Sequence, residues 1–414
     1  MKILVLGGGG REHALCWKLA QSKGVEVFAS PGNPGIAQLG TCLPAVPSFL
    51  EAADKIGADL TVVGPEAPLV EGVVDEFRAR GKKIVGPDRA AGRLEGSKVF
   101  AKNFFVQSNI PTARHVAAEN AAGARRAIES FGFPVVLKAD GLAAGKGVVI
   151  AHDRAEAETA LQTLTGRLVV EEFLRGEEVS FIALCDGRHV VPLAPTQDHK
   201  AVFDGDSGPN TGGMGAYCDS AILTSAQTGE ILERVIHPTV AATGFTGFLY
   251  AGLMMTEAGI KVLEFNVRLG DPETQPLMLR MASDFVPALL AAATGELAGA
   301  KLDWHPGPTV CVVLASGGYP GSFETGKTIH GVAEAEATGA TVFQAGTRMG
   351  ASGLATSGGR VLGVTARGDD LVSAISRAYR GVSKIGFEGM HYRTDIGRKG
   401  LARVQEVLPT TSPA

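Results

Sequence analysis

Alternating polar side chains in the segment VLEFNVRLGDPETQ, residues 262–275, are of the types that bind a metal ion and phosphate. If this segment forms a strand, Glu264, Asn266 and Arg268 share one face, because successive side chains of a strand point to opposite faces. Carboxylate and amide oxygens suit Mg²⁺ when nucleotide phosphates complete its ligands. Arg268 would neutralise a phosphoryl group during transfer. The alternative is an exposed polar face of an edge strand.

A glycine-rich loop follows an apolar stretch that ends in Lys138, in the segment KADGLAAGKG. A Walker A loop is excluded, because it needs four residues between its glycine and its GK pair and then Ser or Thr. Here three residues separate Gly141 from Gly145, and Gly147 follows Lys146. We expect a flap between two strands that closes over phosphates, with Lys138 as a point charge. A surface hairpin is the alternative.

Four glycines, Gly7–Gly10, end the first apolar stretch and lead into a predicted helix at Arg11. Backbone amides at a helix start can bind an anion. The dinucleotide fingerprint fails, because its third glycine position holds Glu12 or His13 and no acidic residue ends the second predicted strand. We therefore predict a phosphate of a smaller ligand here. A purely structural turn is the alternative.

Two further segments combine polar side chains with turn residues. In VVEEFLRGEEVS, residues 169–180, one carboxylate can accept from an adenine amino group and a later one can hold ribose hydroxyls; solvated charges are the alternative. The loop DGDSGPNTGGMGA, residues 204–216, is predicted to close its backbone on a ligand beside the segment QDHK, residues 197–200. A disordered insertion is the alternative for this loop.

Three stretches of different patterning must position these residues. Residues 1–99 alternate short apolar strands with helices, which predicts a parallel α/β sheet. Ligands of such sheets bind beyond the carboxyl ends of the strands. The predicted strands of this stretch are 3–6, 25–29, 60–63 and 84–85, and its predicted helices are 11–22, 48–57 and 69–80.

Residues 100–305 and 306–414 have mixed α+β patterns. A predicted helix at 97–108 leads into the first of them. Its predicted strands are 135–138, 148–151, 168–173, 179–184, 189–194, 248–256 and 260–266. Its predicted helices are 154–164, 225–242 and 275–293, and a long loop is predicted at 203–216. In the second we predict strands at 310–315, 341–345 and 361–366 and a helix at 369–382.

Composition excludes several classes of protein. The 414 residues are 45% apolar and 20% charged, which is typical of a globular chain and not of a disordered one. The net charge of −4 gives no basic excess for a nucleic-acid partner. No apolar run is long enough to span a membrane, and five scattered cysteines form no zinc or disulfide pattern. A short apolar run at the N-terminus favours the cytosol over secretion.

Together these residues resemble the phosphoribosylamine–glycine ligase family of the ATP-grasp superfamily. The matching segments run in order from residue 7 to about residue 360: GGGGREHAL, VGPEAPLV, LEGSK, KADGLAAGKGV, EEFLRGEE, QDHK, GPNTGGMGAY, GFLYAGLM, RLGDPETQ and GGRV. The resemblance implies an N-terminal parallel α/β (pre-ATP-grasp) domain over 1–99. It further implies an ATP-grasp core over 100–305 with a lid at about 112–185, and a small C-terminal α+β domain over 306–414.

The resemblance also implies a reaction and the residues that carry it. Glycine would be joined to 5-phosphoribosylamine through glycyl phosphate, with ATP and Mg²⁺ or Mn²⁺, in purine biosynthesis. The implied catalytic residues are Arg268, Lys138 and Asp271, and the implied metal ligands Glu264 and Asn266. The implied ATP-binding residues are Lys98, Lys138, Gly141, Gly145, Lys146, Gly147, Glu171, Glu172, Phe173 and Glu178. The implied substrate-binding residues are Gly9, Gly10, Arg11, Glu66, Asp198, His199, Lys200, Asn210, Thr211, Gly212, Gly213, Met214 and Arg360.

Arg360, in GGRVLGV, would reach the phosphate of phosphoribosylamine from the third domain, although a solvated strand end is an equal alternative. A monomer in the cytosol, without nucleic-acid or membrane partners, is expected. The chain departs from the family's usual residues at Gly8, Ala201, Val267, Leu269 and Thr394. None of these removes a proposed ligand, but Ala201 puts a substrate role for that side chain in doubt.

Two other functions remain alternatives at this point. A non-catalytic nucleotide-binding protein would keep the glycine loops but not the pair Glu264 and Asn266. Another ATP-grasp ligase, such as a formate-using or carboxylating purine enzyme, would share the ATP site. Only the resemblance carried by GPNTGGMGA separates this chain from those enzymes.

Overall fold

The N-terminal part of the chain forms a five-stranded sheet in which every pair of strands is parallel. A computed structural model describes residues 1–45, 48–142 and 147–407 of the protein. The strands of this sheet are β1 (Lys2–Gly7), β2 (Glu26–Pro31), β3 (Thr41–Cys42), β4 (Leu60–Val63) and β5 (Ile84–Val85). Their order in the sheet is β3-β2-β1-β4-β5. Ile3 to Leu6 are fully buried, as expected of a central parallel strand covered on both faces.

Five helices accompany this sheet: α1 (Gly10–Leu19), α2 (Phe49–Ile56), α3 (Glu66–Glu71), α4 (Val73–Ala79) and α5 (Arg89–Gly96). The single helix predicted over 69–80 is two helices in the structure. Gly72 separates them with a φ of +99°, a left-handed conformation that glycine adopts without steric cost. The break leaves Glu66 in the first turn of its own short helix, beyond the carboxyl end of β4.

A small antiparallel sheet follows α6 (Lys98–Gln107). Its elements are β6 (His115–Ala118), α7 (Ala121–Phe131), β7 (Val135–Ala139), β8 (Val148–Ala151), α8 (Arg154–Thr163) and β9 (Leu168–Glu172). The strand order is β6-β9-β7-β8. The two helices and the sheet bury a cluster of mostly alanine, leucine and valine that is separate from the other cores. We call residues 115–172 the lid unit.

A second, larger sheet fills the rest of the chain. Its strands and the hairpins beside it are β10 (Glu177–Asp186), β11 (Val190–Pro192), β12 (Thr196–Asp198), β13 (Ala201–Phe203), β14 (Ser207–Asn210), β15 (Gly215–Cys218), β16 (Thr246–Thr256), β17 (Gly259–Asn266), β18 (Thr309–Ala315), β19 (Thr341–Gln344), β20 (Thr347–Gly350), β21 (Gly353–Thr356) and β22 (Arg360–Arg367). Nine of them form one sheet in the order β17-β16-β10-β12-β15-β18-β22-β19, with β11 beside β10.

The helices of this region are α9 (Ser225–Ile231), α10 (His237–Thr243), α11 (Thr274–Arg280), α12 (Val286–Thr294), α13 (Val332–Glu336), α14 (Leu371–Val382) and α15 (Arg398–Val407). A π-helical turn, Leu232–Ile236, joins α9 to α10. The predicted helix over 275–293 is divided into α11 and α12. The predicted loop over 203–216 contains the separate hairpin β13–β14 and the start of β15.

The large sheet crosses the border between the central and C-terminal parts of the sequence. β15 pairs with β18 in antiparallel register, Ala216 opposite Cys311, so the C-terminal strands extend the central sheet. The structure has the predicted layout of a parallel α/β N-terminal domain, a central α+β region with a lid unit and a C-terminal α+β region. No helix in the described ranges is long and apolar enough to cross a membrane.

Candidate functional site

A cleft with a volume of about 170 Å³ lies between the lid unit, strand β17 and the start of α3. The structure brings fourteen of the residues named from the sequence to its lining: Glu66, Lys98, Lys138, Gly141, Gly147, Glu171, Asp198, Lys200, Thr211, Gly212, Glu264, Asn266, Arg268 and Asp271. They come from every part of the chain up to residue 271. The cleft is therefore assembled by the fold and not by one local motif.

Arg268 follows β17 and is fixed by carboxylates from two N-terminal helices. Its Nε lies 3.2 Å from Oε2 of Glu66, and its Nη2 lies 2.9 Å from Oε1 of Glu95. Nη2 also donates to Oδ1 of Asn266 at 3.0 Å. The second carboxylate oxygen of Glu95 accepts from the Val267 amide at 2.7 Å. Sequence reasoning did not single out Glu95, although it lies within the segment LEGSK, three residues before Lys98.

The charges of this group depend on one another. Burial opposes the charge of Arg268, but Glu95 and Glu66 raise its pKa above the usual value. Burial also opposes the charge of Glu66, whose pKa is nevertheless lowered by Arg268 and Arg11. In Glu95 burial dominates and raises the pKa in spite of Arg268. Arg268 is thus a permanent cation held in one orientation at the cleft.

Glu264 faces the cleft with several cations around it. Burial opposes the ionised form, but Lys200, Lys138 and Lys98 hold the pKa of its carboxyl below the usual range. Within the described residues no side chain or backbone group hydrogen-bonds to this carboxylate. The carboxylate is therefore ionised at neutral pH and free to bind a ligand of the cleft.

Glu264 and the amide oxygen of Asn266 are a donor set that fits a hard divalent cation. Among the described residues no group of three or more His, Cys, Asp or Glu side chains is placed to hold a metal ion. Two protein oxygens are few for Ca²⁺ or for a structural Zn²⁺ site, but they suit Mg²⁺, which retains waters and phosphate oxygens.

Glu171 of the lid unit pairs with two lysines, one on helix α6 and one within the lid unit. Its Oε2 lies 3.1 Å from Nζ of Lys138, and its Oε1 lies 3.1 Å from Nζ of Lys102. Lys138 also donates to the Leu263 carbonyl at 3.1 Å. Burial lowers the pKa of Lys102 to about 8, although Glu171 acts in the opposite direction. No motif in the sequence pointed to Lys102.

The opposite wall of the cleft contains a second group of acidic residues. Oε1 of Glu273 accepts from the Tyr250 hydroxyl at 2.8 Å and from the Ser180 hydroxyl at 3.2 Å. Burial raises the pKa of Asp198 to about 7, with Lys200 acting against this shift. Lys200 lies 3.0 Å from Glu178. Tyr250 and Glu273 belong to segments that matched the family, but neither had been given a role.

The N-terminal glycine loop binds the side chain of Glu12, which lies in the first turn of α1. The Gly9 amide donates to Oε2 of Glu12 at 2.6 Å, and Nε of Arg11 lies 2.7 Å from Oε1 of the same carboxylate. Arg11 also donates to the Leu269 carbonyl at 3.0 Å. The structure therefore does not bring Gly9, Gly10 or Arg11 to the cleft lining, and the predicted anion site already contains a carboxylate.

Arg360 reaches the rim of the cleft from β22. Its Nη1 donates to the carbonyls of Gly212 and Asp271 at 2.5 and 2.6 Å, and its Nη2 lies 3.3 Å from Oδ2 of Asp271. Burial opposes the charge of Asp271, but Arg360 and Arg11 lower its pKa below the usual range. Arg360 thus fixes the turn at Asp271 and the backbone of the loop at Gly212.

Several other predicted residues lie outside the cleft lining. Glu172 is paired with Arg114 at 2.6 Å, and His199 is fully buried beside Tyr217. Gly145 and Lys146 lie outside the described residues. The others that do not line the cleft are Phe173, Glu178, Asn210, Gly213, Met214 and Arg360.

The fold and the cleft together define an ATP-grasp ligase. Family models for the N domain, the ATP-grasp (A) domain and the C domain of phosphoribosylglycinamide synthetase match residues 1–95, 96–274 and 309–399. The chain belongs to the phosphoribosylamine–glycine ligase family, which confirms the family predicted from the sequence. It is an enzyme that forms a C–N bond in purine biosynthesis.

Individual relatives agree with this assignment. The phosphoribosylamine–glycine ligase of Escherichia coli O6:H1 is 49% identical over 428 residues, which cover 98% of this chain and 100% of that protein. The crystal structure of the ligase from Thermotoga maritima matches with a TM-score of 0.83 and 36% identity, over 95% of this chain and 100% of that one. Biotin carboxylase from Campylobacter jejuni, at 13% identity and a TM-score of 0.73 over 98% of this chain and 96% of its own, shows the fold alone.

Proposed function

We propose that this chain joins glycine to 5-phosphoribosylamine at the described cleft, with ATP and a divalent cation, through glycyl phosphate. The observation that carries the proposal is that Lys98, Lys138, Lys200 and Arg268 line one cleft with Glu264. A cleft with so many cations around one carboxylate has the charge to hold a polyphosphate. Phosphoryl transfer depends mainly on such positioning and charge neutralisation.

Support for the metal site comes from the donor set of β17. Glu264 and Asn266 would hold Mg²⁺ or Mn²⁺, and the ion would neutralise phosphate charge when it is bound. Lys138, on the lid unit, and Arg268, beyond the end of strand β17, would contact the phosphates from opposite sides. We assign the nucleotide to the lid side of the cleft, next to Lys98, Gly141 and Glu171. Glu172, Phe173 and Glu178 continue that segment towards the base and the ribose.

The chemistry then follows in two displacements. A carboxylate oxygen of glycine attacks the γ-phosphorus of ATP, the bond to the β–γ bridging oxygen breaks, and ADP leaves. The amine nitrogen of phosphoribosylamine attacks the carbonyl carbon of glycyl phosphate, the C–O bond to the phosphate breaks, and the nitrogen loses a proton. Asp198 is suited to accept this proton, because a pKa of about 7 is close to a neutral working pH.

The acyl phosphate formed in the first step must be protected from water until the amine attacks it. Glycyl phosphate is readily hydrolysed, so closure of the lid unit over the cleft would protect it.

The substrate phosphate is assigned to the rim at Thr211–Gly213 and Arg360. Gly9, Gly10 and Arg11 would approach it only if a ligand displaced the carboxylate of Glu12. A monomer located in the cytosol also remains part of the proposal.

The proposal is tested by a product assay with glycine labelled with ¹⁸O in its carboxylate. Incubation with ATP, Mg²⁺ and phosphoribosylamine should give glycinamide ribonucleotide, ADP and phosphate that carries the label. Label transfer to phosphate is the specific result expected of an acyl phosphate. Matched reactions with formate or bicarbonate in place of glycine should yield no ligation product. Ligation without transfer of label would refute the glycyl phosphate step, and turnover of formate would refute the substrate assignment.

A further inference from the structure

The hairpin β13–β14 connects the two sides of one cleft wall but belongs to no larger sheet. Lys200 immediately precedes it and Thr211 immediately follows it, and both line the cleft. At the base of the hairpin the Thr211 amide and hydroxyl both bond to the Lys200 carbonyl at 2.8 Å. Residues 203–209 are exposed. The orientation of the hairpin therefore sets the position of two cleft residues, while most of its own surface is in solvent.

A C-terminal segment, residues 391–399, holds this hairpin along its length; we call it the clasp. Nη1 of Arg393 donates to the Ala201 carbonyl at 3.1 Å and to Oδ1 of Asp206 at 3.0 Å. Lys399 reaches the other oxygen of Asp206 at 2.6 Å. The Gly205 amide donates to Asp395 at 2.9 Å.

The clasp also binds the start of the hairpin turn and its first strand. The backbone amide of Thr394 donates to Oδ1 of Asp204 at 2.8 Å, and the Thr394 hydroxyl donates to Oδ2 of the same carboxylate. His391 donates through Nε2 to the Val202 carbonyl at 2.9 Å. Its ring also packs edge-to-face on Phe203, with centroids 5.5 Å apart.

Arg393 organises these contacts from a fully buried position. Its side chain has 0% exposure and forms a two-bond pair with Asp395, with both distances 2.7 Å. Burial opposes the ionised form of Asp395, but Arg393 and the Gly205 amide hold its pKa far below the usual value. A lysine cannot satisfy Asp395, Asp206 and a carbonyl at once, because it lacks the planar fork of arginine.

The clasp is itself anchored on the C-terminal region. The Tyr379 hydroxyl on α14 donates to the Arg393 carbonyl at 2.8 Å and accepts from the Ile396 amide at 3.0 Å. His391 forms an isolated antiparallel β-bridge with Ala315 at the end of β18. None of the clasp residues lines the cleft. The contacts therefore run from α14 through the clasp to the hairpin, and from the hairpin to Lys200 and Thr211.

We propose that the clasp is a positioning device for the ligation, in which Arg393 and Thr394 act through the hairpin on Lys200 and Thr211. This inference rests on the proposed function for its kinetic consequence, but not for its structural one. It also assigns a contact to two of the five unusual residues of this chain. Ala201 contributes a backbone carbonyl to Arg393, and Thr394 contributes its hydroxyl and amide to Asp204.

The test compares Asp204→Ala, Arg393→Lys and Arg393→Met with Lys327→Met. Lys327 pairs with Glu324 and Glu388 on the surface of the same C-terminal region, away from the hairpin. Asp204 is exposed, so Asp204→Ala should fold even if Arg393→Met does not. Hydrogen exchange across residues 201–213, steady-state kinetics and ATP binding without turnover are measured for each variant.

For Asp204→Ala we expect faster exchange at 201–213 and a roughly tenfold lower kcat/KM for glycine and phosphoribosylamine, the scale of a lost charge-assisted hydrogen bond. The Kd for ATP should change much less, because Lys98, Lys138 and Arg268 line the cleft independently of the hairpin. Arg393→Lys should retain more activity than Arg393→Met, and Lys327→Met should match wild type. Unchanged exchange with unchanged kinetics in Asp204→Ala would overturn the proposal, as would an equal loss of ATP affinity. If the chain ligates no glycine at all, only the kinetic part fails and exchange still tests the coupling.

Discussion

The floor strand β17 and the lid unit approach the same cleft from opposite sides but are stabilised in different ways. Val262, Phe265 and Val267 belong to the main hydrophobic core, and β17 is paired with β16 along its length. The lid unit has its own small core, and Val116 and Ile150 are 40% and 39% exposed. The floor is therefore part of the most stable unit, whereas the lid unit is a separate body.

Polar contacts join the lid unit to the floor strand and to helix α6. Lys138 of the lid unit bonds to the carbonyl of Leu263 on β17, and Lys98 of α6 donates to the carbonyl of Gly141 in the lid unit at 2.7 Å. Such bonds can be exchanged for bonds to phosphate at little net cost, since a typical hydrogen bond contributes only about 1 kcal/mol net. Apolar burial between the regions would have fixed the lid in place. The difference suggests that the floor determines geometry and the lid determines access.

The largest expected loss of activity comes from substitutions in the floor strand β17. Glu264→Gln should lower kcat by at least about a hundredfold at saturating Mg²⁺, because a transition-state charge contact is lost. Asn266→Ala should behave in nearly the same way. Glu158→Gln is the matched control: it removes a carboxylate of the lid surface that pairs with Arg125 at 2.7 Å. Activity of Glu264→Gln within about threefold of wild type would remove β17 from the metal site.

At the rim, Arg360→Ala should weaken binding of phosphoribosylamine by about 1.5–3 kcal/mol, the range for a charged hydrogen bond. The KM values for ATP and glycine should change little, because neither carries that phosphate. Initial rates at varied concentrations of each substrate separate these outcomes. A rise in the KM for ATP alone would mean that Arg360 acts on the floor turn at Asp271 and not on the substrate.

The ion pair between Lys102 of helix α6 and Glu171 of the lid unit should titrate near pH 8. Lys102 loses its charge as the pH rises through about 8, and Glu171 then keeps only Lys138. We expect kcat/KM to fall severalfold between about pH 7 and 9, and Lys102→Arg to move this limb to higher pH.

Unfolding cannot account for that alkaline limb, because the stability contribution of Lys102 has the opposite sign. The pKa of Lys102 is lower in the folded state than in the unfolded chain, where it is 10.5. Between these two values the unfolded state binds more protons, so the contribution of Lys102 to stability rises with pH. Chemical denaturation at pH 7 and pH 9 provides the check. An alkaline limb that stays at the same pH in Lys102→Arg would assign the titration to another group.

The smallest effect concerns the lid alone. β8 and β17 are both edge strands of their sheets, but β17 packs on the main hydrophobic core whereas Ile150 of β8 is exposed, so β8 should exchange its amide hydrogens faster than β17 in the free protein. Saturating ATP should slow exchange in β8 by about tenfold, with little change in β17. Equal protection of both strands before ATP is added would contradict the division into a fixed floor and a mobile lid.

Sequence patterns predicted the elements that carry their own periodicity. The alternation along 262–275 predicted one face for Glu264, Asn266 and Arg268, and all three line the cleft, with Arg268 beyond the end of β17. Gly72 offered a visible signal for the break between α3 and α4, but the apolar periodicity around it suggested one helix. Local patterns are therefore most dependable where one strand supplies several site residues.

Partners that meet through tertiary structure had no such signal. Glu95 pairs with Arg268 across 173 positions, and Lys102 meets Glu171 only because α6 packs against β9. Both are ordinary charged residues on amphipathic helices, where a solvated position is the usual interpretation. The carboxylate of Glu12 inside the glycine loop was likewise hidden, since its spacing also fits a normal first helical turn.

The continuous nine-stranded sheet also constrains how the protein can be made. β15 acquires its second neighbour only when β18, Thr309–Ala315, has been synthesised, and β18 acquires its own only with β22, Arg360–Arg367. Until then a nascent chain presents an unpaired strand edge, which is a template for association with other chains. The large sheet is therefore completed late in translation. A truncation after residue 305 should yield an aggregating fragment in place of a smaller enzyme.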